Sequence, residues 1–202
     1  WQLSAFQEFK SSGLKHFYDV IWRVYHALMS VGSALVITLS PFIARVLMQR
    51  QFYSAWPLIS ILVLAFYLSA INNFLGTIYQ AYMRTKPLLV ATVVGAVACL
   101  AFTAVLVHDW GISAAAFGVF VGSLVIFVIR VIDVRRLMTI NMRPIPTAIT
   151  MTLLTVQSLV TSNQCSHYLF WSSICLLLIA FVQCYELKPL ITLIFTRRKY
   201  TA

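Results

Sequence analysis

The chain has 202 residues, of which 61% are hydrophobic and only 10% are charged, and its formal net charge is +10. Soluble domains usually contain about 45–50% apolar and about 25% charged residues, so this composition excludes a water-soluble domain. The mean hydropathy is +0.88, and the few charges lie between long apolar runs, which indicates a membrane protein. Since membrane topology explains the basic charge, as shown below, no nucleic acid partner is expected.

Residues 1–24 precede the first long apolar run and carry apolar residues at helical spacing. We interpret 1–9 as the end of a preceding helix and 14–24 as a cytoplasmic amphipathic segment that leads into the membrane. Because the chain begins at Trp1 rather than at Met, we expect it to be a piece of a longer protein.

The apolar runs predict an all-α fold, a polytopic membrane bundle of about six transmembrane helices. A hydrocarbon core of about 30 Å takes roughly 20 helical residues to cross, and a helix satisfies its own backbone in lipid. We expect a four-span membrane domain at 25–136, followed by two additional spans and a basic cytoplasmic tail at 137–202. The predicted spans lie near 25–47, 57–82, 88–107, 112–132, 147–161 and 168–184.

Prolines mark several of these boundaries. Pro57 and Pro87 stand where helices are predicted to begin, because the first turn does not need their missing N–H groups. Pro41 lies inside the first span and predicts a kink there. Pro144 and Pro146 are interpreted as closing the loop before the fifth span.

A polar stripe runs along the second span. Polar groups at membrane depth face either the interior of a bundle or a wet cavity. The stripe therefore has two interpretations: hydrogen bonds between helices, or the wall of a path for a hydroxyl-rich substrate such as a sugar chain. The substrate-cavity candidates are Ser69, Asn72, Asn73, Thr77 and Gln80.

The third and fourth spans carry small residues at four-residue intervals, which allow helix backbones to approach closely in lipid. With only a short turn between them, these spans are predicted to form a tight antiparallel hairpin. The residues are Ala91, Gly95, Cys99 and Thr103 in one span and Ala114, Gly118 and Gly122 in the other.

Basic residues predict the orientation, because Lys and Arg accumulate in cytoplasmic loops. If the N-terminal end is cytoplasmic, that side holds all of the 15 Lys and Arg residues except Arg45 and Arg50. Both ends are therefore expected in the cytoplasm. Arg45, Arg84 and Lys86 are candidates for contact with an anionic headgroup, with simple anchoring of their stems at the interface as the alternative.

Catalytic chemistry is not expected. We interpret the spans as free of carboxylates and histidines, so no catalytic residue, no enzyme activity and no cofactor are predicted. The four cysteines form no CxxC pair, and no metal site is predicted. The weaker alternative is a metal or acid–base cluster in the short outer loops, formed by His108, Asp109, Cys165 and His167.

Several segments in residues 1–136 carry a resemblance to a known family. They are Trp1–Glu8, Ser40–Ile43, Gln51–Pro57, Tyr79–Tyr82 with Arg84–Lys86, and Trp110–Ala116. In order and spacing they resemble the C-terminal lobe of the polysaccharide (O-antigen-type) flippases, which belong to the MATE-like superfamily.

The resemblance implies a two-lobe carrier of the bacterial inner membrane that flips lipid-linked oligosaccharide repeat units by alternating access. It also implies a missing N-terminal lobe or a partner half. Three alternatives stay open. A multidrug or cation-coupled MATE-like exporter would need a cavity carboxylate, and a membrane enzyme of envelope synthesis would need a catalytic constellation. In a non-catalytic assembly subunit of envelope polysaccharide synthesis, the polar stripe would only join helices.

Overall fold

The architecture was analysed in a computed structural model, which describes residues 14–47, 53–137, 144–163 and 167–199. Six of its helices are long and apolar enough to cross a membrane, and the described ranges contain no strand. The predicted all-α fold of a multi-pass membrane protein is confirmed. The helices are α1 (Leu14–Leu47), α2 (Trp56–Ala81), α3 (Thr85–Trp110), α4 (Ile112–Leu137), α5 (Pro144–Ser162) and α6 (Tyr168–Lys199), with a short 3₁₀ turn at Tyr53–Ala55 before α2.

The helix boundaries agree with most of the proline positions. Pro57 lies in the first turn of α2, as predicted, and Pro87 lies in the first turn of α3. Pro144 is the first residue of α5 and Pro146 follows within the same turn, so both belong to the helix rather than to the loop before it. Pro41 lies inside α1, which continues to Leu47.

The N-terminal part of α1 belongs to the core of the bundle. Helix α1 begins at Leu14 and runs without interruption into the first span. Tyr18 and Trp22 are buried, and their rings lie 6.1 Å and 5.2 Å from the ring of Phe74 in α2. Residues 1–13, including the predicted end of a preceding helix, lie outside the described residues.

Helix α2 is the centre of the bundle. It packs against α1, α4 and α5, while α6 packs against α1 and α5 and closes that side. Most side chains of α2 are buried, and Ile71, Leu75 and Ile78 are fully enclosed. Helix α3 packs chiefly on α4, so most of its surface is left for lipid.

The α3–α4 hairpin is as tight as its small residues predict. A Cβ atom added to Gly95 would lie 2.9 Å from the carbonyl oxygen of Gly122, and one added to Gly122 would lie 2.8 Å from that of Gly95. Such distances are shorter than any side chain tolerates, so the two backbones cross in direct contact. Gly111 forms the turn with a φ of 53°, a conformation that glycine adopts without steric cost.

Candidate functional site

The polar stripe of α2 divides into a buried and an uncovered part. Asn72 is buried, and its amide Nδ2 donates a hydrogen bond of 2.9 Å to the Ser123 carbonyl in α4. Thr77 is buried as well and donates to the Phe74 carbonyl at 2.7 Å within its own helix. Both therefore act as internal polar contacts of the bundle.

The remaining residues of the stripe, Ser69, Asn73 and Gln80, form what we call the uncovered strip. Asn73 and Gln80 are exposed and Ser69 is partly exposed. The strip runs between two packed sides of α2. On one side Asn72 contacts α4, and on the other the Tyr25 hydroxyl of α1 donates to the Ala70 carbonyl at 2.9 Å.

An uncovered strip of this kind is unfavourable against lipid tails, because each amide or hydroxyl loses its hydrogen bonds to water there. Polar residues in spans are accordingly found facing a bundle interior or a wet cavity. Among the residues that the structure describes, the six helices provide neither for Ser69, Asn73 and Gln80. This face therefore requires water or further polypeptide against it.

Arg130 is a site residue that sequence reasoning missed, because it was counted among the basic residues of the cytoplasmic side. It is only 6% exposed, and its guanidinium joins three helices. One nitrogen donates to the Asn72 carbonyl of α2, and another donates to the Thr92 hydroxyl of α3 at 3.0 Å. A signal was present in the sequence: four residues separate Arg130 from the Arg135–Arg136 pair, and all but Asp133 are apolar.

A histidine also lies inside the membrane span, which corrects the expectation that the spans contain none. His26 is 5% exposed; its Nε2 lies 3.0 Å from the Tyr67 hydroxyl, and its Nδ1 lies 3.3 Å from Nε2 of Gln183. Gln183 donates in turn to Thr150 at 3.0 Å. This chain of hydrogen bonds connects α1, α2, α5 and α6. The expectation was also wrong for carboxylates by this criterion, because the candidate spans include Asp19, Asp109, Asp133 and Glu186, each near the end of its span.

Gln157 of α5 makes the other large polar junction. Its Nε2 atom lies 2.9 Å from the Ala34 carbonyl and 3.0 Å from the hydroxyls of both Thr38 and Ser172. These contacts hold α5 against α1 and α6. The polar character of the fifth span is thus used in part for helix packing.

The remaining sequence candidates lie at the ends of the bundle. Arg45, Arg84 and Lys86 are exposed, as are His108 and Asp109. Within the described ranges, no three His, Cys, Asp or Glu side chains are placed to hold a metal ion. Cys165 lies outside those ranges, so the alternative of a loop cluster with His167 cannot be built from them.

Comparison with known proteins adds no family to this geometry. No protein-family model, no curated protein and no solved structure matches the chain. The resemblance to polysaccharide flippases therefore stays a prediction that rests on the sequence segments described above.

Proposed function

We propose that the chain forms one lobe of a membrane transporter, with Ser69, Asn73 and Gln80 of α2 lining the substrate path. The observation that carries the proposal is the uncovered strip, which places two amides and a partly exposed hydroxyl on the outside of the bundle. A second lobe, either an N-terminal lobe of the same protein or a partner half, would close the strip into a cavity.

The proposed substrate is a lipid-linked polysaccharide repeat unit, moved across the bacterial inner membrane by alternating access. Amides and hydroxyls both donate and accept hydrogen bonds, so the strip suits a substrate rich in hydroxyl groups. A pyrophosphate-linked glycan cannot cross hydrocarbon without such groups, because burying its polar atoms unpaired costs several kcal/mol for each. The resemblance to O-antigen-type flippases supports the same substrate class.

Deletion of the gene in a strain without a second flippase tests the proposal. We expect loss of surface polysaccharide together with accumulation of lipid-linked repeat units on the cytoplasmic side, both reversed by the intact gene. Normal surface polysaccharide would contradict the proposed substrate. If the deletion instead raised sensitivity to cationic drugs while surface polysaccharide stayed normal, the MATE-like exporter would be favoured.

A further inference from the structure

A groove of about 500 Å³ lies at the basic end of the α3–α4 hairpin, and no residue of the uncovered strip lines it. Val90, Ile129 and Ile132 provide apolar walls. Lys86, Asp133 and Arg136 line the same groove. The groove thus combines an apolar channel with charges of both signs at one end.

The apolar walls lie where lipid acyl chains are expected. Helix α3 is the least covered of the spans, with 11% of its apolar window buried, and Val90 is 56% exposed. The charged residues lie at the ends of the two spans, since α3 begins at Thr85 and α4 ends at Leu137. A membrane lipid in the groove would therefore have its headgroup level with the charges.

The cations favour a phosphate group. Lys86 and Arg136 come from different helices and border the same space, and Arg is geometrically suited to phosphate oxygens. The backbone N–H groups in the first turn of α3 point toward this end, and its N-cap residue Arg84 makes no side-chain capping hydrogen bond with them. Helix N-termini favour anions for this reason.

Asp133 distinguishes between lipids. Its carboxylate lines the groove beside the two cations, and Tyr79 of α2 forms a side-chain hydrogen bond with it. A headgroup with only negative charge would place its phosphate near this carboxylate without supplying a positive charge to it. A headgroup that carries a primary ammonium as well as a phosphate would satisfy both kinds of charge.

We propose that this groove is a binding site for an aminophospholipid, phosphatidylethanolamine. Its phosphate binds Lys86 and Arg136, its ammonium donates to Asp133, and one acyl chain lies along Val90, Ile129 and Ile132. The groove shares no lining residue with the proposed substrate path, so the proposal does not depend on the identity of the transported substrate.

Native mass spectrometry of the intact, purified protein tests the proposal. The protein is titrated with equal mixtures of phosphatidylethanolamine, phosphatidylglycerol and phosphatidylcholine of identical acyl chains. We expect phosphatidylethanolamine to be retained about five-fold over each of the others, the size of one partly exposed ion pair in the case of phosphatidylglycerol and of one hydrogen bond in the case of phosphatidylcholine. Phosphatidylcholine is the informative competitor, because its quaternary ammonium has the same charge and cannot donate a hydrogen bond.

Variants then assign the contacts. Asp133→Asn should reduce the preference for phosphatidylethanolamine over phosphatidylglycerol at least three-fold, and Lys86→Gln with Arg136→Gln should weaken retention of both lipids. Arg84→Gln is the matched control, because Arg84 is an exposed cation at the same end that does not line the groove.

Two results would overturn the proposal. One is stronger retention of phosphatidylglycerol, or equal retention of all three lipids, by the unaltered protein, a measurement that requires no variant to fold. The other is an unchanged lipid preference in Asp133→Asn when that variant elutes as a folded protein in size-exclusion chromatography.

Discussion

Arg130 joins the hairpin of α3 and α4 to the central helix. Its guanidinium donates to the Asn72 carbonyl and to the Thr92 hydroxyl, and Asn72 donates back to α4 through the Ser123 carbonyl. A buried cation is costly to place in a span, so these charge-assisted bonds are what offsets the loss of hydration.

The effect of removing Arg130 can be predicted from these bonds. Arg130→Ala loses both donors and leaves a cavity between three helices, so we expect a loss of about 2 kcal/mol in the free energy of unfolding. A lower thermal midpoint in detergent, measured by size-exclusion chromatography after heating, checks this. Arg135→Ala changes an exposed Arg of the same helix and should leave the midpoint close to that of the unaltered protein. Equal losses in the two variants would show that Arg130 does not hold the helices together.

Substitution of two glutamines tests the packing of the helices and the proposed transport separately. Gln157→Leu removes the contacts to Ala34, Thr38 and Ser172 and should lower the unfolding free energy by about 1–2 kcal/mol, at roughly 0.6 kcal/mol for each interhelical bond. Gln80→Leu changes a residue of the uncovered strip, so export of surface polysaccharide should fall several-fold while folded yield is kept. Loss of folded yield in Gln80→Leu would instead favour an assembly subunit with the strip buried by a partner.

Glycines set the distance between α3 and α4. Gly95→Ala would place a methyl group against the Gly122 carbonyl and the Ile126 side chain, so we expect the hairpin to separate at a cost of about 1–3 kcal/mol. Gly32→Ala is the matched control, because a Cβ at Gly32 in α1 meets nothing within 4 Å and should stabilise by about 0.5–1 kcal/mol through helix propensity. Thermal midpoints of the two variants that move in the same direction would contradict this account.

The helices themselves could be predicted from the sequence because both length and spacing have direct physical causes. Bilayer thickness determines how long an apolar run must be, so all six helices were predicted, and the ends of α2 to α5 differ from the prediction by only a few residues. Helix α1 begins at Leu14 rather than at 25, and α6 continues to Lys199 rather than ending at 184. Small residues at four-residue intervals indicated the close contact of Gly95 with Gly122. For residues 14–24 the sequence predicted only an amphipathic segment leading into the membrane. The burial of Tyr18 and Trp22 could not be predicted, because it depends on contact with Phe74 of another helix.

At the scale of the whole molecule, the candidate site could be predicted only in part. A helical pattern gives the direction of each side chain from its own axis, but it does not tell which directions a neighbour covers. Asn72 and Asn73 are adjacent in sequence, yet one is bonded to α4 and the other is uncovered. Arg130 was misplaced for the same reason, since counting charges cannot distinguish a loop cation from one held between helices.

The packing also places the start of α2, the end of α5 and the start of α6 at the same end of the bundle, which allows a direct test of the predicted orientation. The ring of Trp56, at the start of α2, lies 5.4 Å from that of Tyr168, at the start of α6, and Ser60 bonds to the Ser158 carbonyl near the end of α5. The end of α5 and the start of α6 therefore lie at the end of the bundle opposite Lys86 and Arg136. If the basic end is cytoplasmic, Cys165, which lies between these two helices in the sequence, is expected on the outer side.

We therefore expect Cys165 to react with a membrane-impermeant maleimide added to intact spheroplasts. Cys99, Cys175 and Cys184 lie within candidate membrane spans, which a membrane-impermeant reagent does not enter. Cys165→Ser should remove the labelling and provides the background. In that Cys165→Ser background, Arg84→Cys should react only after the membrane is permeabilised, because Arg84 lies at the basic end. The reverse pattern, with Arg84→Cys labelled in intact spheroplasts and Cys165 protected, would invert the topology and place the groove of Lys86 and Arg136 in the outer leaflet.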